Sequence, residues 1–123
     1  MTPLQLQSLS SSELTQLFEK LCIEQYDSLE RDELATFNRR YDRIISVQDE
    51  LKSRPGDQRR LLMRLFGHPN MQVRLTAAQA NLAVDYLAAR RELQSIADSR
   101  WYPQAADASM TLDYLDSGFY NPT

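Results

Sequence analysis

Hydrophobic positions recur at steps of three and four through most of the chain, with no period-two alternation, so the pattern predicts helices and no sheet. Ser10 with Glu13 three residues on makes a capping box, and the helix it opens turns Leu14, Leu17, Phe18, Leu21 and Tyr26 inward. Glu30-Arg31-Asp32 interrupts the pattern. Asp32 or a neighbour then caps a second helix carrying Leu34, Phe37, Tyr41, Ile44, Ile45 and Leu51. That helix ends near Arg54, because the residue before Pro55 is pushed out of helical geometry. Pro55-Gly56 marks a turn, and Asp57 caps a third helix running to about Phe66. Gly67-His68-Pro69-Asn70 separates it from a fourth, which starts near Pro69 and ends around Val84. Asp85 caps a fifth with Leu87, Leu93, Ile96 and Ala97 inward. Pro103 suits the first turn of a sixth with Ala105, Ala108, Leu112 and Leu115, and Gly118 stops it.

The stretch from Leu61 to Leu82 organises the rest. A Leu-rich run (Leu61, Leu62, Leu65, Phe66), a His68-Pro69-Asn70 turn, and Val73-Arg74 followed by Ala77-Ala78 together resemble a HEAT repeat, the helical hairpin of α-solenoids. In that resemblance Arg74 braces neighbouring helices, and Ala78 lets two backbones approach closely. A weak internal repeat adds to it: Leu62 and Leu65 correspond to Leu93 and Ile96, while Val73, Ala78 and Leu82 correspond to Pro103, Ala108 and Leu112. The expected fold is all-α, a short HEAT/armadillo-like α-solenoid of about six helices in three hairpins. Residues 1–123 would form one domain, with residues 1–10 a loose N-terminal segment.

Charge changes this picture by dividing the chain. Residues 1–34 carry seven acids and two bases, residues 35–91 eleven bases and five acids, and residues 92–123 five acids and one base. Only Lys20 and Lys52 are lysines, so the middle is an arginine block between acidic ends. The pI near 5.1 argues against nucleic acid as the partner, since such binders are more often basic. A single cysteine, Cys22, rules out an internal disulfide. With no secretory leader and no apolar run of about 18 residues, a reducing cytoplasm is the expected home and no membrane is implied.

Catalytic chemistry finds little support in the residues. His68 is the only histidine and belongs to an interhelix turn with Pro69. No His/Cys cluster has metal-ligand spacing, no Gly-rich phosphate loop occurs, and no cofactor is implied. Around Pro55 the sequence presents Arg54, Arg59 and Arg60 on either side of a turn set by Gly56 and Asp57; these arginines are either solvated or part of a contact surface. Arg39 and Arg43 stand four apart on one helical face, and guanidinium groups suit contacts that exclude water. The C-terminus gathers Trp101, Tyr102, Tyr114, Phe119 and Tyr120, which either cover a last apolar face or anchor an interface.

The Arg54-Pro55-Gly56-Asp57-Gln58-Arg59 string, with Asn38-Arg39, the His68 to Arg74 stretch, and the ending from Pro103-Gln104-Ala105 to Gly118, resembles a small bacterial HEAT-like family known only as a domain of unknown function. The likeness runs from about Leu14 to near the end. It implies a helical-repeat fold and a bacterial origin, and brings an association with immunity proteins that neutralise toxins. The expected function is therefore non-enzymatic: a cytoplasmic protein-binding module, in its most specific form an immunity or inhibitor protein occluding a toxin or effector domain. Its contact residues would be Arg39, Arg43, Arg54, Arg59, Arg60 and Trp101, with Gly56, Asp57, His68, Pro69, Arg74 and Ala78 structural. The alternative is a nucleic-acid-binding helical-repeat protein using the arginine block.

Overall fold

The computed structural model describes residues 2–123, built from α1 (Pro3–Gln7), α2 (Ser11–Glu30), α3 (Leu34–Ser53), a 3-10 segment (Gln58–Leu65), α4 (Met71–Ala80), α5 (Tyr86–Asp98) and α6 (Gln104–Asp116). No strand occurs among the described residues, so the class is all-α. The chain divides into two compact units, residues 1–61 and 62–123.

In the first unit the Ser10 capping box forms as the sequence predicts. The Ser10 hydroxyl accepts from the Glu13 N–H at 3.0 Å, and the Glu13 carboxylate accepts from the Ser10 N–H at 2.9 Å. Those bonds, the one from the backbone first, hold the Glu13 carboxyl below the usual range. α2 then reverses into α3 through a Schellman motif rather than an Asp32 cap. Asp32 takes the left-handed position usually given to glycine, at φ 58°, and the N–H groups of Asp32 and Glu33 donate to the Leu29 and Ser28 carbonyls at 3.2 and 2.8 Å. Asp is among the few residues that tolerate this conformation, and the reversal requires it. The cap position of α3 falls to Glu33, whose side chain makes no capping bond.

α2 and α3 run antiparallel, tied by Arg40 to Glu24 at 2.7 Å. Leu14, Phe18, Leu21 and Cys22 of α2 and Ile44, Val47 and Leu51 of α3 are buried. Leu34 and Tyr41, expected inward, are exposed. At 3.6 residues per turn they lie on a flank about 60–80° from Ile44, and the seam is too narrow to reach them. The segment expected to be loose carries a short helix of its own. Thr2 and Gln5 form a second capping box, Pro3 occupies the first helical turn, and Leu6 is buried. Met1 lies outside the described residues.

The third expected α-helix is a 3-10 helix instead. Its buried residues, Arg59, Leu62 and Leu65, are spaced by three, which lines one face at three residues per turn but not at 3.6.

In the second unit α4 begins at Met71, with Asn70 as its cap: the Asn70 side chain accepts from the Gln72 and Val73 N–H groups at 3.0 and 3.3 Å. Proline therefore ends up just outside the helix it was expected to start. Asp85 caps α5 through the Ala88 N–H at 3.1 Å. α5 runs antiparallel to α4 and α6, since Arg74 meets Glu92 and Arg90 meets Asp116. α4 and α6 are parallel: Gln72 pairs with Gln104, and Gln79 with Asp107 and Thr111. Their shared core holds Leu75, Ala78, Leu82, Ala89, Leu93, Ile96, Ala108 and Leu112. Leu87, expected inward, is exposed, because it stands about 160° around α5 from the buried Ala89.

Candidate functional site

The arginine block sorts into two kinds. Arg54, Arg59 and Arg60 are consumed by the turn they flank. The Asp57 N–H donates to the Arg54 carbonyl at 3.0 Å, with Pro55 and Gly56 between them and Gly56 at φ 79°, as a type II turn requires. Asp57 itself sits at φ 50°, a conformation that costs an Asp residue something and must be held by its neighbours. Arg59 holds it: its guanidinium grips both Asp57 oxygens, Nε to Oδ1 at 2.8 Å and a terminal nitrogen to Oδ2 at 2.6 Å. The same hydrogen bonding, ahead of the charge itself, keeps the Asp57 carboxyl below its ordinary range against the opposing effect of partial burial. Arg60 donates through Nε to the Gly56 and Asp57 carbonyls.

Arg54 works in the other direction along the chain. Its guanidinium donates to Glu50 at 3.0 Å, to the Ser11 hydroxyl at 3.1 Å, and to the Leu6 and Leu9 carbonyls at 3.2 and 2.7 Å. It thereby pins the segment between α1 and α2 to the end of α3. Of the residues offered by the sequence as contacts, Arg54 is half-buried and Arg59 buried, both bonded within their own surroundings; Arg60 stays exposed but is anchored to the turn backbone.

Arg39 and Arg43 are different. Arg39 is exposed and, among the described residues, makes one bond, to the Thr36 hydroxyl at 3.0 Å, and has no carboxylate partner. Arg43 is half-buried and lines a pocket of about 20 Å³ with Leu6, Leu17, Leu21, Ser46 and Val47, its aliphatic stem resting on apolar surface. Neither pairs with Asp42, Asp49 or Glu50. Beyond Arg43, with Leu6 and Ser46 lining both spaces, a shallow cleft of about 270 Å³ opens between α1 and α3, lined by Pro3, Leu6, Ser46, Asp49, Glu50 and Ser53. The flank of α3 thus offers two guanidinium groups with donors to spare.

In the second unit Arg74 and the His68 turn are held by bonds within the unit. One carboxylate, Glu92, accepts from Arg74 at 2.6 Å and from the Gly67 N–H at 2.6 Å. It fastens α5 to both α4 and the turn before it. Gly67 at φ 77° ends the 3-10 segment, and His68 Nδ1 accepts from the Asn70 N–H at 2.9 Å. Sequence reasoning missed Glu92, which has no local signal because its partners stand 18 and 25 residues away.

The C-terminal aromatics lie at the surface. Trp101, Tyr102, Tyr114, Phe119 and Tyr120 are all exposed, and α6 buries its other side. Trp101 therefore keeps its place among candidate contact residues, in the second unit and away from the α3 element. Met110 joins these exposed side chains, a residue that sequence spacing had not singled out.

Comparison with known proteins places these features in a family. A family model described as a domain of unknown function (DUF2019) matches residues 12–116. No curated protein matches. Among solved structures the chain is similar to the protein RPA1889 from Rhodopseudomonas palustris CGA009, at 46% identity and a TM-score of 0.94, covering 96% of this chain and 98% of that one.

Proposed function

The chain belongs to the DUF2019 family, and on that footing we propose that it is a non-enzymatic protein-binding module that docks an acidic partner on the α3 flank bearing Arg39 and Arg43. In this reading the helices are HEAT-like hairpins of a short α-solenoid; the parallel run of α4 and α6, related by the offset repeat of Ala78 and Leu82 to Ala108 and Leu112, supports it. The observation that carries the docking proposal is the contrast among arginines. Arg40, Arg54, Arg59, Arg74 and Arg90 each hold a carboxylate of this chain; among the described residues Arg39 and Arg43 hold none, nor do Arg31, Arg60, Arg64, Arg91 and Arg100, and of these only Arg39 and Arg43 stand four apart on one α-helix. Two like charges four residues apart on one helix repel slightly in the free protein, a cost that an acidic partner removes. Guanidinium groups then form bidentate pairs with carboxylates at an interface that excludes water.

Two further observations support a binding role over catalysis. His68, the only imidazole, is engaged with the backbone of its own turn, and Cys22 is fully buried in α2. A single buried thiol also suits a reducing cytoplasm. The specific form we favour is an inhibitor or immunity protein that occludes a toxin or effector domain, where charge complementarity supplies association rate and selectivity. The nucleic-acid alternative loses ground, because much of the arginine block is spent on internal pairs. The test is affinity capture from host lysate with the parent protein and with Arg39→Glu/Arg43→Glu. The folded variant should lose a specific partner by about 2 kcal/mol or more, the range of interface hot spots. Full retention of every partner would move the interface elsewhere.

A further inference from the structure

The second unit carries an exposed surface of opposite charge, and it is independent of the arginine flank. α6 buries Gln104, Ala105, Ala108, Thr111 and Leu112 against its own unit. On its outward side Ala106, Met110 and Tyr114 follow at steps of four, with Met110 52% exposed. The Phe119 ring, 79% exposed, leans on Tyr114 with centroids 5.0 Å apart and so extends the stripe past the helix end. Trp101 and Tyr102 stand at the opposite end, where the Trp101 carbonyl accepts from the Ala105 N–H at 2.8 Å. At 100° per residue, Asp107 and Asp113 border this stripe, each about 60° from Met110. Two bases lie near it: Arg100 in the turn before the helix, and Arg90 of α5, which holds Asp116 at 2.8 Å and leaves Asp113 without a cation of its own among the described residues.

We infer that the outward face of α6 docks a basic amphipathic helix of another protein, its apolar residues along Met110, Tyr114 and Phe119 and its Lys/Arg residues beside Asp107 and Asp113. α6 has 13 residues and is therefore about 20 Å long, a match for a partner helix of three to four turns. Aromatic and Met side chains are the types that anchor such grooves and faces. The bordering carboxylates decide the occupant. They repel an anionic membrane surface. They also oppose a symmetric contact with a second copy, which would bring like charges together. A helix with cationic borders satisfies both the apolar stripe and its edges.

Trp101 is the only tryptophan, so tryptophan emission comes from one place, the N-terminal end of α6. The probe is an amphipathic Leu/Lys peptide about 14 residues long, with a Leu/Glu peptide of the same pattern as its counterpart. The Leu/Lys peptide should shift Trp101 emission to the blue in a saturable way, and the Leu/Glu peptide should bind at least about tenfold more weakly. Met110→Glu, at an exposed position where folding is retained and is checked by circular dichroism, should weaken the Leu/Lys peptide by about tenfold or more. Asp113→Lys should weaken the Leu/Lys peptide and strengthen the Leu/Glu one. Absence of a shift overturns the inference, as does equal binding by the variants or by the acidic peptide. So does a shift produced by raising the protein concentration alone, which assigns the face to a second copy, or by phosphatidylcholine vesicles, which assigns it to a membrane.

Discussion

Arg54→Ala tests the claim that a residue with the chemistry of a contact group is instead part of the fold. The substitution removes four hydrogen bonds from one guanidinium: to Glu50 at 3.0 Å, Ser11 at 3.1 Å, and the Leu6 and Leu9 carbonyls at 3.2 and 2.7 Å. Bonds to a charged group are worth about 1.5–3 kcal/mol each, but these share one donor group and cannot add in full. The Arg54 and Glu50 side chains are 18% and 15% exposed, so solvent screens part of the pair, while Glu50 loses its partner in a largely desolvated place. A loss of about 2–4 kcal/mol follows. For a chain of this size that corresponds to a fall in Tm of roughly 8–16 °C. Calorimetry or urea unfolding measures it, and amide exchange should rise first in α1, whose five residues and buried Leu6 depend on this clamp. Arg54→Lys keeps the charge but supplies a point donor in place of a planar fork, and should recover less than half of the loss. A loss under about 1 kcal/mol, or full rescue by lysine, would refute the reasoning.

Two other perturbations probe the packing and the turn. Ala78 is fully buried in the core shared by α4, α5 and α6, so Ala78→Leu should cost about 1–3 kcal/mol through overpacking, and an unchanged melting curve would mean that this core can yield. The Asp57 carboxyl is held below its unfolded value, mainly by hydrogen bonding from Arg59. Its contribution to stability is therefore fully present above the ordinary carboxylate range near pH 4 and disappears as pH falls through the lower folded-state value. Asp57→Asn should flatten that part of the acid-unfolding profile, and a parallel pH dependence in parent and variant would show that the pair is not coupled to folding.

Most helix positions and several boundaries were legible in the sequence, because they rest on local physics; α1 and the end of α4 at Ala80, expected around Val84, were not. Caps at Ser10 and Asp85, the stop before Pro55, and the step-three-and-four spacing of Leu14, Phe18, Leu21, Leu93 and Ile96 each act within a few residues. Local spacing failed where a seam's width or pitch mattered. It turned Leu34, Tyr41 and Leu87 inward, and it made an α-helix of a segment whose buried residues repeat every three. The candidate site was legible by residue type only. Sequence grouped the arginines by charge, and the tertiary structure separated them by partner. Arg54 found carbonyls 45 and 48 residues away and Arg74 found Glu92, while Arg39 and Arg43 found no acid among the described residues. A guanidinium is identical in each place. Whether it ends as a clamp or as a free contact group depends on which acceptors the folded backbone brings within about 3 Å, and that proximity is set by long-range packing that no window of sequence contains.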